Sequence, residues 1–321
     1  MKCLVTLKPL EPFMFGGDQT FGTLGDKEAG SYLVHSRLFP QQTALLGMLK
    51  KEMMTQAGLL TRKRRGEWVD KQQKKNAVQL VGEEKFSMLK QEVQNFGAIK
   101  NISPIFLKQK EKRYIKKVDI DSYPYVDGKL EGYDSKKDIY DNFISLDGAE
   151  KLSSEKIFKA VEQTGNKKGG EENSLFKKTS YMLVNDFVFA FYVDVDFALE
   201  SSMVTLGADR SAFSMHVETT EEKLQYVDKK GYLTLLSDAY ITVDIRDSNA
   251  TFAITSEISH RNLKNKKTAT KKYDTVFEKS ETLYLYEKGS VFINPSDTLV
   301  DNLNNKNLQQ IGYNIYTQGE K

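Results

Sequence analysis

The clearest structural signal in the sequence is a strict alternation of side-chain type over residues 187–197. Large apolar residues occupy every second position: Phe187, Phe189, Phe191, Val193, Val195 and Phe197. Successive side chains of a β-strand point to opposite faces of the sheet, so a period of two predicts a strand with one fully apolar face. The sequence therefore predicts a sheet that packs this face against a core.

Further strand patterns at both ends of the chain set the fold class. They cover residues 2–8, a hairpin within 95–121, residues 251–259, residues 281–293 and a last strand at 310–316. Many strands with few helices predict an α+β fold with mainly antiparallel sheets. Two ferredoxin-like (RRM-like) domains fit this order. We expect an N-terminal domain at 1–200, with long insertions at about 59–94 and 105–180, and a C-terminal domain at 201–321.

One helix is expected at about 41–57. Leu45, Leu49 and Met53 recur on one face of a 3.6-residue period, Pro40 precedes the helix and Gly58 follows it. The basic segment 61–85 is expected to be an exposed helical or mobile insertion. Residues 122–150 are expected to form an irregular insertion, and residues 165–173 a flexible loop.

Several function classes are disfavoured by what the sequence lacks. One cysteine, Cys3, cannot form an internal disulfide or a cysteine-based zinc site, and there is no Walker phosphate-binding motif. The three histidines are scattered, so neither a metal nor a cofactor is expected. No signal-peptide pattern and no long apolar stretch occurs, which predicts a cytoplasmic protein.

Two pairs of carboxylates at i, i+2 are candidate cation sites. Asp119 and Asp121 form one pair, and Asp194 and Asp196 the other. Alternate residues of a strand share a face, so each pair could bind a cation. No third ligand lies nearby in the sequence, and the polar face of a half-buried strand is the favoured interpretation.

Positive charge is grouped along the chain although the net charge is only +3. The groups are Lys50/Lys51, Arg62–Arg65, Lys108–Lys117, Lys167/Lys168, Lys177/Lys178 and Lys264–Lys267. Such groups suit a polyanion that is contacted at several surfaces. Lysine-rich loops that only solvate the protein are the alternative.

Four segments carry side chains suited to RNA. Glycines in "EPFMFGGDQTFG" (11–22) would let RNA approach the main chain, with some Phe rings anchoring the loop to the core. The turn at Gly207–Phe213 combines Arg210, a hydroxyl group and an aromatic ring, which suits phosphate contact and base stacking; a plain turn with an exposed arginine is the alternative. The start of the 41–57 helix offers free N–H groups to a phosphate. The lysine-tipped hairpin at 105–118 is either a thumb on the RNA or a protein contact.

The same segments, in order, resemble a known family. "LKPLEPFMFGGDQTFG" followed by "SRLFPQQTALLGMLKKEM" is similar to the opening of subunit three of the Cmr complex, a family of RAMP-superfamily proteins of type III-B CRISPR effectors. "ISPIFLKQKEKRYIKKVDI", "VEQTGNKKGGEENSLFKKTSYML" and "VTLGADRSAFSM" are similar to later family motifs. The chain departs from the family by lacking a proline at 116–119, by Gly207-Ala208 in place of two glycines, and by a C-terminal glycine-rich loop reduced to Gly312 and Gly319.

The resemblance implies two ferredoxin-like domains and a non-catalytic subunit. Such a subunit binds the 5′ handle of the CRISPR RNA, docks the large polymerase/nuclease subunit, adjoins the first backbone RAMP subunit and meets target RNA only indirectly. The residues expected to contact RNA are Phe15, Gly16, Gly17, Asp18, Gln19, His35, Arg37, Phe39, Gln41, Thr43, Lys50, Lys108, Lys110, Arg113, Lys177, Lys178, Gly207, Arg210, Ser211 and Phe213.

Two alternatives stay open at this point. The first is a metal-independent repeat-RNA endoribonuclease of the same superfamily, with His35 as general acid or base. The second is a RAMP subunit of a related type III complex, or a general binder of single-stranded RNA.

Overall fold

A computed structural model describes most of the chain. The described residues are 1–16, 19–21, 32–60, 63–64, 67–68, 70–82, 85–118, 120, 123–134, 142–166, 175–207, 210–245, 249–260, 263–267, 275–279 and 281–320.

The described residues form strands, four α-helices and one 3₁₀ turn (Ser154–Lys156). The helices are α1 (Gln42–Gln56), α2 (Lys71–Val81), α3 (Asp297–Leu303) and α4 (Lys306–Gln310). The strands are β1 (Lys2–Pro9), β2 (Gln19–Phe21), β3 (Tyr32–His35), β4 (Lys63–Arg64), β5 (Glu67–Trp68), β6 (Ile99–Ile102), β7 (Phe106–Gln109), β8 (Lys112–Lys116), β9 (Tyr125–Val126), β10 (Lys129–Leu130), β11 (Asn142–Ser145), β12 (Lys151–Ser153), β13 (Phe158–Asn166), β14 (Leu175–Leu183), β15 (Val188–Val195), β16 (Ser202–Leu206), β17 (Ser211–Thr219), β18 (Tyr232–Leu235), β19 (Phe252–Ile254), β20 (Glu257–His260), β21 (Leu263–Lys267), β22 (Thr275–Lys279), β23 (Leu283–Tyr286), β24 (Val291–Ile293) and β25 (Tyr316–Gln318).

The chain divides into two compact units that exchange segments along the sequence. Unit 1 consists of Met1–Met53, Ile99–Lys116 and Asp141–Gln225, and unit 2 of Met54–Ala98, Lys117–Tyr140 and Tyr226–Lys321. The predicted boundary near residue 200 differs from this division, because β16 and β17 lie beyond it yet belong to the sheet that contains β1.

Unit 1 contains a large sheet in the order β12-β11-β8-β7-β15-β1-β17-β16, with β6 also paired to β15. β1 lies between β15 and β17 and is antiparallel to both. The four strands β1, β7, β15 and β17 therefore stand in the order second, third, first, fourth, which is the ferredoxin-like order. A second sheet, β13-β14-β3-β2, completes the unit.

The strongest sequence patterns correspond to central elements of unit 1. Phe189, Phe191 and Val193 of β15 are buried, as the alternation predicts. Ala190 and Tyr192 on the opposite face are buried too, so both faces of β15 are covered. In α1, the face that includes Leu45, Leu49 and Met53 is buried. This helix lies in the first crossover of the sheet, after β1 in the chain.

Unit 2 contains a four-stranded sheet in the order β19-β24-β18-β25, with all neighbours antiparallel. Numbered along the chain, these strands again stand second, third, first, fourth. α3 and α4 lie in the last crossover, between β24 and β25. Apolar side chains of the sheet and of α3, including Leu233, Phe292, Leu299 and Leu303, form one core cluster.

Three local predictions need correction. Residues 310–316 are not the last strand: α4 ends at Gln310, and the strand β25 begins only at Tyr316. Residues 122–150 are not wholly irregular, since β9 and β10 form a hairpin and β11 joins the large sheet. Of the expected loop at 165–173, Gly165 belongs to β13, and residues 167–173 lie outside the described part.

The α+β class with mainly antiparallel sheets is confirmed. The segment 61–85 contains α2, in agreement with its helical interpretation. Among the helices of the described residues, none is long and apolar enough to cross a membrane.

Candidate nucleic-acid interface

The loop at Phe13–Gly16 is fixed to two neighbouring segments by main-chain hydrogen bonds. The Phe13 N–H donates to the Tyr181 carbonyl at 2.8 Å, and the Tyr181 N–H donates to the Phe13 carbonyl at 3.1 Å. The Arg37 N–H donates to the Phe15 carbonyl at 3.0 Å. The Phe15 N–H donates to the Ser36 Oγ at 2.8 Å. The loop therefore has a defined main-chain path although it contains no regular strand.

Two buried aromatic side chains anchor this loop to the core. The rings of Phe13 and Phe15 are buried and lie 4.6 Å apart between centroids. Phe15 also contacts Phe189, at 5.6 Å, and Phe213, at 6.0 Å. The prediction that some phenylalanines anchor the loop to the core is confirmed.

Three aromatic residues expected to contact RNA are instead core residues. Phe15 is 3%, Phe39 9% and Phe213 0% exposed. A base needs an open ring face for stacking, so the prediction that Phe213 stacks on a base is wrong, and Phe15 and Phe39 do not present ring faces either. Hydrophobic burial explains the difference, because these rings pack around Phe189 of β15.

The turn between β16 and β17 lies against the same loop. Gly207 has a φ of +95°, and a Cβ added there would lie 2.3 Å from the Met14 carbonyl oxygen. Only glycine fits this close approach of two backbones. Arg210 has a φ of 56°, its N–H donates to the Gly207 carbonyl at 3.3 Å, and the residue is exposed.

Ser211 takes a different role from the one expected. It is 3% exposed, and its Oγ donates to the Pro12 carbonyl at 3.5 Å. The Ala212 N–H donates to the Glu11 Oε1 at 2.8 Å, which ties the start of β17 to the segment before the loop. The predicted contact of Ser211 with phosphate is therefore wrong, while Arg210 stays accessible.

These segments meet in one region of unit 1, here called the loop cluster: residues 13–16, 36–37, 207 and 210–211. The Ser36 N–H donates to the Thr179 carbonyl at 2.9 Å, which joins the middle of β14 to the cluster. β3 and β14 are parallel neighbours with His35 opposite Thr179, and His35 is exposed. Gly16 is exposed as well, and a Cβ added to it would meet no atom of the described residues within 4 Å.

Sequence reasoning missed three groups that build the loop cluster. The Ser36 hydroxyl accepts from Phe15 and donates to the Arg37 carbonyl at 2.8 Å. The Met14 carbonyl faces Gly207, and the Thr179 carbonyl accepts from Ser36. Ser36 lies between His35 and Arg37, which are both predicted RNA contacts. This position in the sequence is the signal that could have identified Ser36. The main-chain groups leave no signal in the sequence.

The other predicted RNA contacts in this part of unit 1 are spread over its elements. Gly17 and Asp18 lie outside the described residues, and Gln19 is on β2, opposite Val34. Lys177 and Lys178 lie on β14, and the Lys177 Nζ is 2.8 Å from a carboxylate oxygen of Glu162. Arg37 is half-buried.

Helix α1 begins close to the predicted position, residue 41. The Gln41 carbonyl accepts from the Ala44 N–H at 2.9 Å and from the Leu45 N–H at 3.2 Å, so the helix begins there. The Thr43 Oγ1 donates to the Gln41 Oε1 at 3.5 Å. Thr43 and Lys50 are half-buried.

The β7–β8 hairpin is not a projecting thumb. β7 pairs with β15 and β8 pairs with β11, so both strands lie inside the large sheet. Lys108 is half-buried, whereas Lys110, Glu111 and Lys112 at the turn are exposed, with Lys110 at a φ of 52°. The hairpin is therefore embedded in the sheet, and a contact of its exposed end with RNA or with a protein stays a prediction.

Arg113 of this hairpin is engaged within unit 1. It forms an ion pair with Glu222, and its guanidinium lies 5.9 Å from the ring centroid of Tyr192. Burial raises the pKa of the Tyr192 phenol, and the charge of Arg113 partly opposes this rise. Its neighbour Lys112 is 2.8 Å from Glu150. Arg113 therefore contacts neighbouring residues of unit 1, and its contact with RNA stays a prediction.

Acidic and histidine side chains give no sign of a metal centre in the described part. Asp196, the residue after β15, pairs with Lys100 at 3.3 Å. Asp119 and Asp121 lie outside the described residues. No group of three or more His, Cys, Asp or Glu side chains that could hold a metal ion occurs among the residues that the structure describes.

Comparisons with known proteins bear on this region directly. Residues 5–117 match the family model described as CRISPR-associated protein (Cas_Cmr3). The resemblance to the Cmr family is confirmed. The matched residues include two of the three segments of the loop cluster, α1 and the β7–β8 hairpin, but not the turn at 207–211. No curated protein matches the chain.

Solved structures support the Cmr-type fold over the whole chain. A chain of the type III-B Cmr-β complex bound to cognate target RNA, studied by cryo-electron microscopy, is similar with a TM-score of 0.55 at 13% identity, covering 99% of this chain and 96% of that chain. A chain of the same complex with target RNA and AMPPnP gives a TM-score of 0.53 at 14% identity, covering 98% and 95%. At this identity, the likeness shows the fold alone.

Proposed function

We propose that this chain is the subunit of a type III-B CRISPR effector complex that holds the 5′ handle of the CRISPR RNA. The Cmr family match over residues 5–117 supports the class of complex. The similarity in fold to a chain of a complex bound to target RNA supports an RNA-containing assembly. The large polymerase/nuclease subunit and the first backbone RAMP subunit are its proposed protein partners.

The loop cluster is the observation that carries the proposal. It combines a main chain fixed by hydrogen bonds, an exposed glycine and an exposed arginine. Among the residues that the structure describes, none lies within 4 Å of a Cβ added at Gly16, so these residues do not require a glycine there. A bare Cα at an exposed position does suit the close approach of an RNA backbone. Arg210 can then supply a charge-assisted contact to a phosphate.

This mode of binding differs from base stacking. Because the aromatic rings of the region are buried, the recognition is expected to rest on main-chain groups and on Arg210. Main-chain contacts hold a strand of defined shape, which fits a handle of constant sequence at the end of each CRISPR RNA.

Two substitutions in the loop cluster test the proposal. Gly16→Ala adds a methyl group where this chain leaves space, so the free energy of unfolding should change little while affinity for handle RNA falls. Arg210→Ala should lower that affinity about tenfold through the loss of one charge-assisted contact. Lys156→Ala, an exposed cation on a different element, is the control.

The readout is protection of the RNA 5′ end in the assembled complex, with and without this subunit. Protection that appears only with the subunit, and that weakens in the two variants but not in the control, is the expected result. Protection unchanged by both substitutions would contradict a handle site at the loop cluster.

We further propose that the subunit is not catalytic. The competing function is RNA cleavage by His35, which is exposed beside the loop cluster. Purified chain incubated with repeat RNA in EDTA should leave the RNA intact. Cleavage that His35→Ala abolishes would instead establish the endoribonuclease.

A further inference from the structure

Helix α2 of unit 2 buries much less than its length would allow. Of its eleven residues, only Ala77 and Val81 are buried, and both lie in its C-terminal half. Residues 71–76 are exposed except for the half-buried Gln73. The first half of the helix therefore projects into solvent and contributes little to the core.

The projecting half is stabilised by local hydrogen bonds instead of packing. The Asp70 carboxylate accepts from the Gln72 N–H at 2.8 Å and from the Gln73 N–H at 3.3 Å. The Gln72 side chain donates to the Asn76 side chain at 2.9 Å, one turn later. Asp70 thus occupies the N-terminus of the helix, so an anion cannot bind to the N–H groups there. An anion attracted to α2 has to contact the side chains of the helix.

Three lysines lie on one side of this half-helix. Lys71, Lys74 and Lys75 stand at i, i+3 and i+4, a spacing that places the side chains about 5–6 Å apart at Cβ. α2 contains no acidic residue. Within the part of the chain that the structure describes, none of the three lysines forms an ion pair. Like charges this close repel each other, so the arrangement costs stability until an anion neutralises it.

The sequence that precedes α2 is basic as well. β4 and β5 pair with Lys63 opposite Trp68 and Arg64 opposite Glu67, and β5 lies beside α2. Over residues 62–75, the sequence holds seven cationic residues (62, 63, 64, 65, 71, 74 and 75) against two acidic ones (67 and 70), a net charge of +5.

We infer that the α2 face formed by Lys71, Lys74 and Lys75 is a second RNA-binding surface, which contacts the phosphate backbone of single-stranded RNA without regard to sequence. RNA is favoured over an acidic protein because residues 71–76 present no apolar side chain, whereas a protein interface needs an apolar centre. Lysine is a compact point charge that follows a flexible backbone without demanding one geometry. This surface belongs to unit 2 and does not depend on the loop cluster of unit 1.

The test is the triple substitution Lys71→Gln/Lys74→Gln/Lys75→Gln in the full chain. Glutamine has nearly the helix propensity of lysine, so α2 should persist. Lys129→Gln/Lys156→Gln/Lys159→Gln, three exposed lysines of other elements, is the matched control. Affinity for labelled oligouridine, which contains no handle, is measured by fluorescence anisotropy over a range of salt concentrations.

Loss of three phosphate contacts should make the slope of log affinity against log salt shallower by about 2. As a result, the ratio of the native chain's affinity for oligouridine to that of the triple variant should fall by about 20-fold between about 50 mM and about 200 mM salt. The control should keep the native slope.

A triple variant with the native affinity and slope, or a control that loses as much, would overturn the inference. Handle RNA measured in parallel separates the two proposals. Gly16→Ala and Arg210→Ala should weaken the binding of handle RNA more than that of oligouridine, whereas the α2 variant should weaken the binding of both RNAs by the same factor.

Discussion

Units 1 and 2 order their four main strands identically but keep different crossover helices. Unit 1 retains the first helix, α1, and replaces the second crossover helix with the strand β16. Unit 2 retains the last crossover helices, α3 and α4, and the described residues between β18 and β19 form no helix. Strand pairing therefore fixes the order of the sheet, while either helix can be lost.

The missing helix determines which backbone is exposed. In unit 1, the helix-free crossover leads through the turn at Gly207–Arg210, which lies against the Met14 carbonyl and forms part of the loop cluster. In unit 2, the helix-free crossover is tied down by side chains of the opposite crossover, such as the Asn302 Oδ1 that accepts from the Thr242 N–H at 3.0 Å. The same strand order thus supports an exposed turn in one unit and a pinned segment in the other.

The largest expected difference between the units concerns their ion pairs. In unit 2, Lys117 and Asp228 are 3.1 Å apart with side chains 1% and 0% exposed, and Lys117 also donates to the Tyr226 hydroxyl at 2.9 Å. Lys117→Met would leave a buried carboxylate without its cation and should lower the free energy of unfolding by about 3–5 kcal/mol. In unit 1, Lys177 and Glu162 are 2.8 Å apart but exposed, and Lys177→Met should cost less than about 1 kcal/mol.

Denaturant unfolding of both variants measures this contrast. The double variant Lys117→Met/Asp228→Leu removes both charges and should recover most of the loss. Equal losses in the two single variants would show that burial does not distinguish the two pairs.

A smaller but still large effect is expected at the exposed turn of unit 1. Gly207→Ala places a methyl group 2.3 Å from the Met14 carbonyl oxygen at a φ of +95° and should cost about 3 kcal/mol. Gly148 has a φ of +71° and no atom within 4 Å of an added Cβ, so Gly148→Ala should cost only about 1 kcal/mol. Thermal unfolding of the two variants isolates the steric part, and similar costs would mean that the loop moves away freely.

Local patterns predicted individual elements but not the way these elements pair. β1, α1 and β15 were predicted because alternation or helical periodicity marks them within one segment. The order of β16 and β17 beside β1 could not be predicted, since a pairing between residues about 200 positions apart leaves no local sign. The last strand was misplaced because Ile311 and Tyr313 are apolar and buried at the end of α4, not in a sheet.

The candidate site was predicted in its segments rather than in its atoms. The loop at 11–22, the start of α1 and the turn at 207 were all singled out, and the structure brings the loop and the turn together. The stacking role of Phe213 was wrong because sequence does not show which aromatic ring becomes buried. Nor does sequence show that Arg113 forms an ion pair with Glu222. Burial and pairing are properties of the folded chain.

The smallest expected effect is an alkaline weakening that originates in unit 1. Tyr114 is fully buried, and its hydroxyl donates to a Glu150 carboxylate oxygen at 2.7 Å. Burial above all, then the bond to Glu150, raises the pKa of Tyr114 to about 12. The folded chain thus holds this proton more tightly than the unfolded chain, so the stabilisation is complete below about pH 10 and is lost as pH rises towards about 12. The loss should be on the order of 2 kcal/mol.

Hydrogen exchange at increasing pH, corrected for the intrinsic rate, locates this weakening. Protection should fall first in β8 and β11, which pair at Tyr114 and Ser145, while β18 and β24 of unit 2 keep theirs. Tyr114→Phe removes the ionisable group and should flatten the pH dependence in β8, although it starts from a lower stability because Glu150 loses a donor. If the Tyr114→Phe chain kept the native pH dependence of protection in β8, the loss of stability at alkaline pH would come from another group, and Tyr114 would not make unit 1 more sensitive to alkaline pH than unit 2.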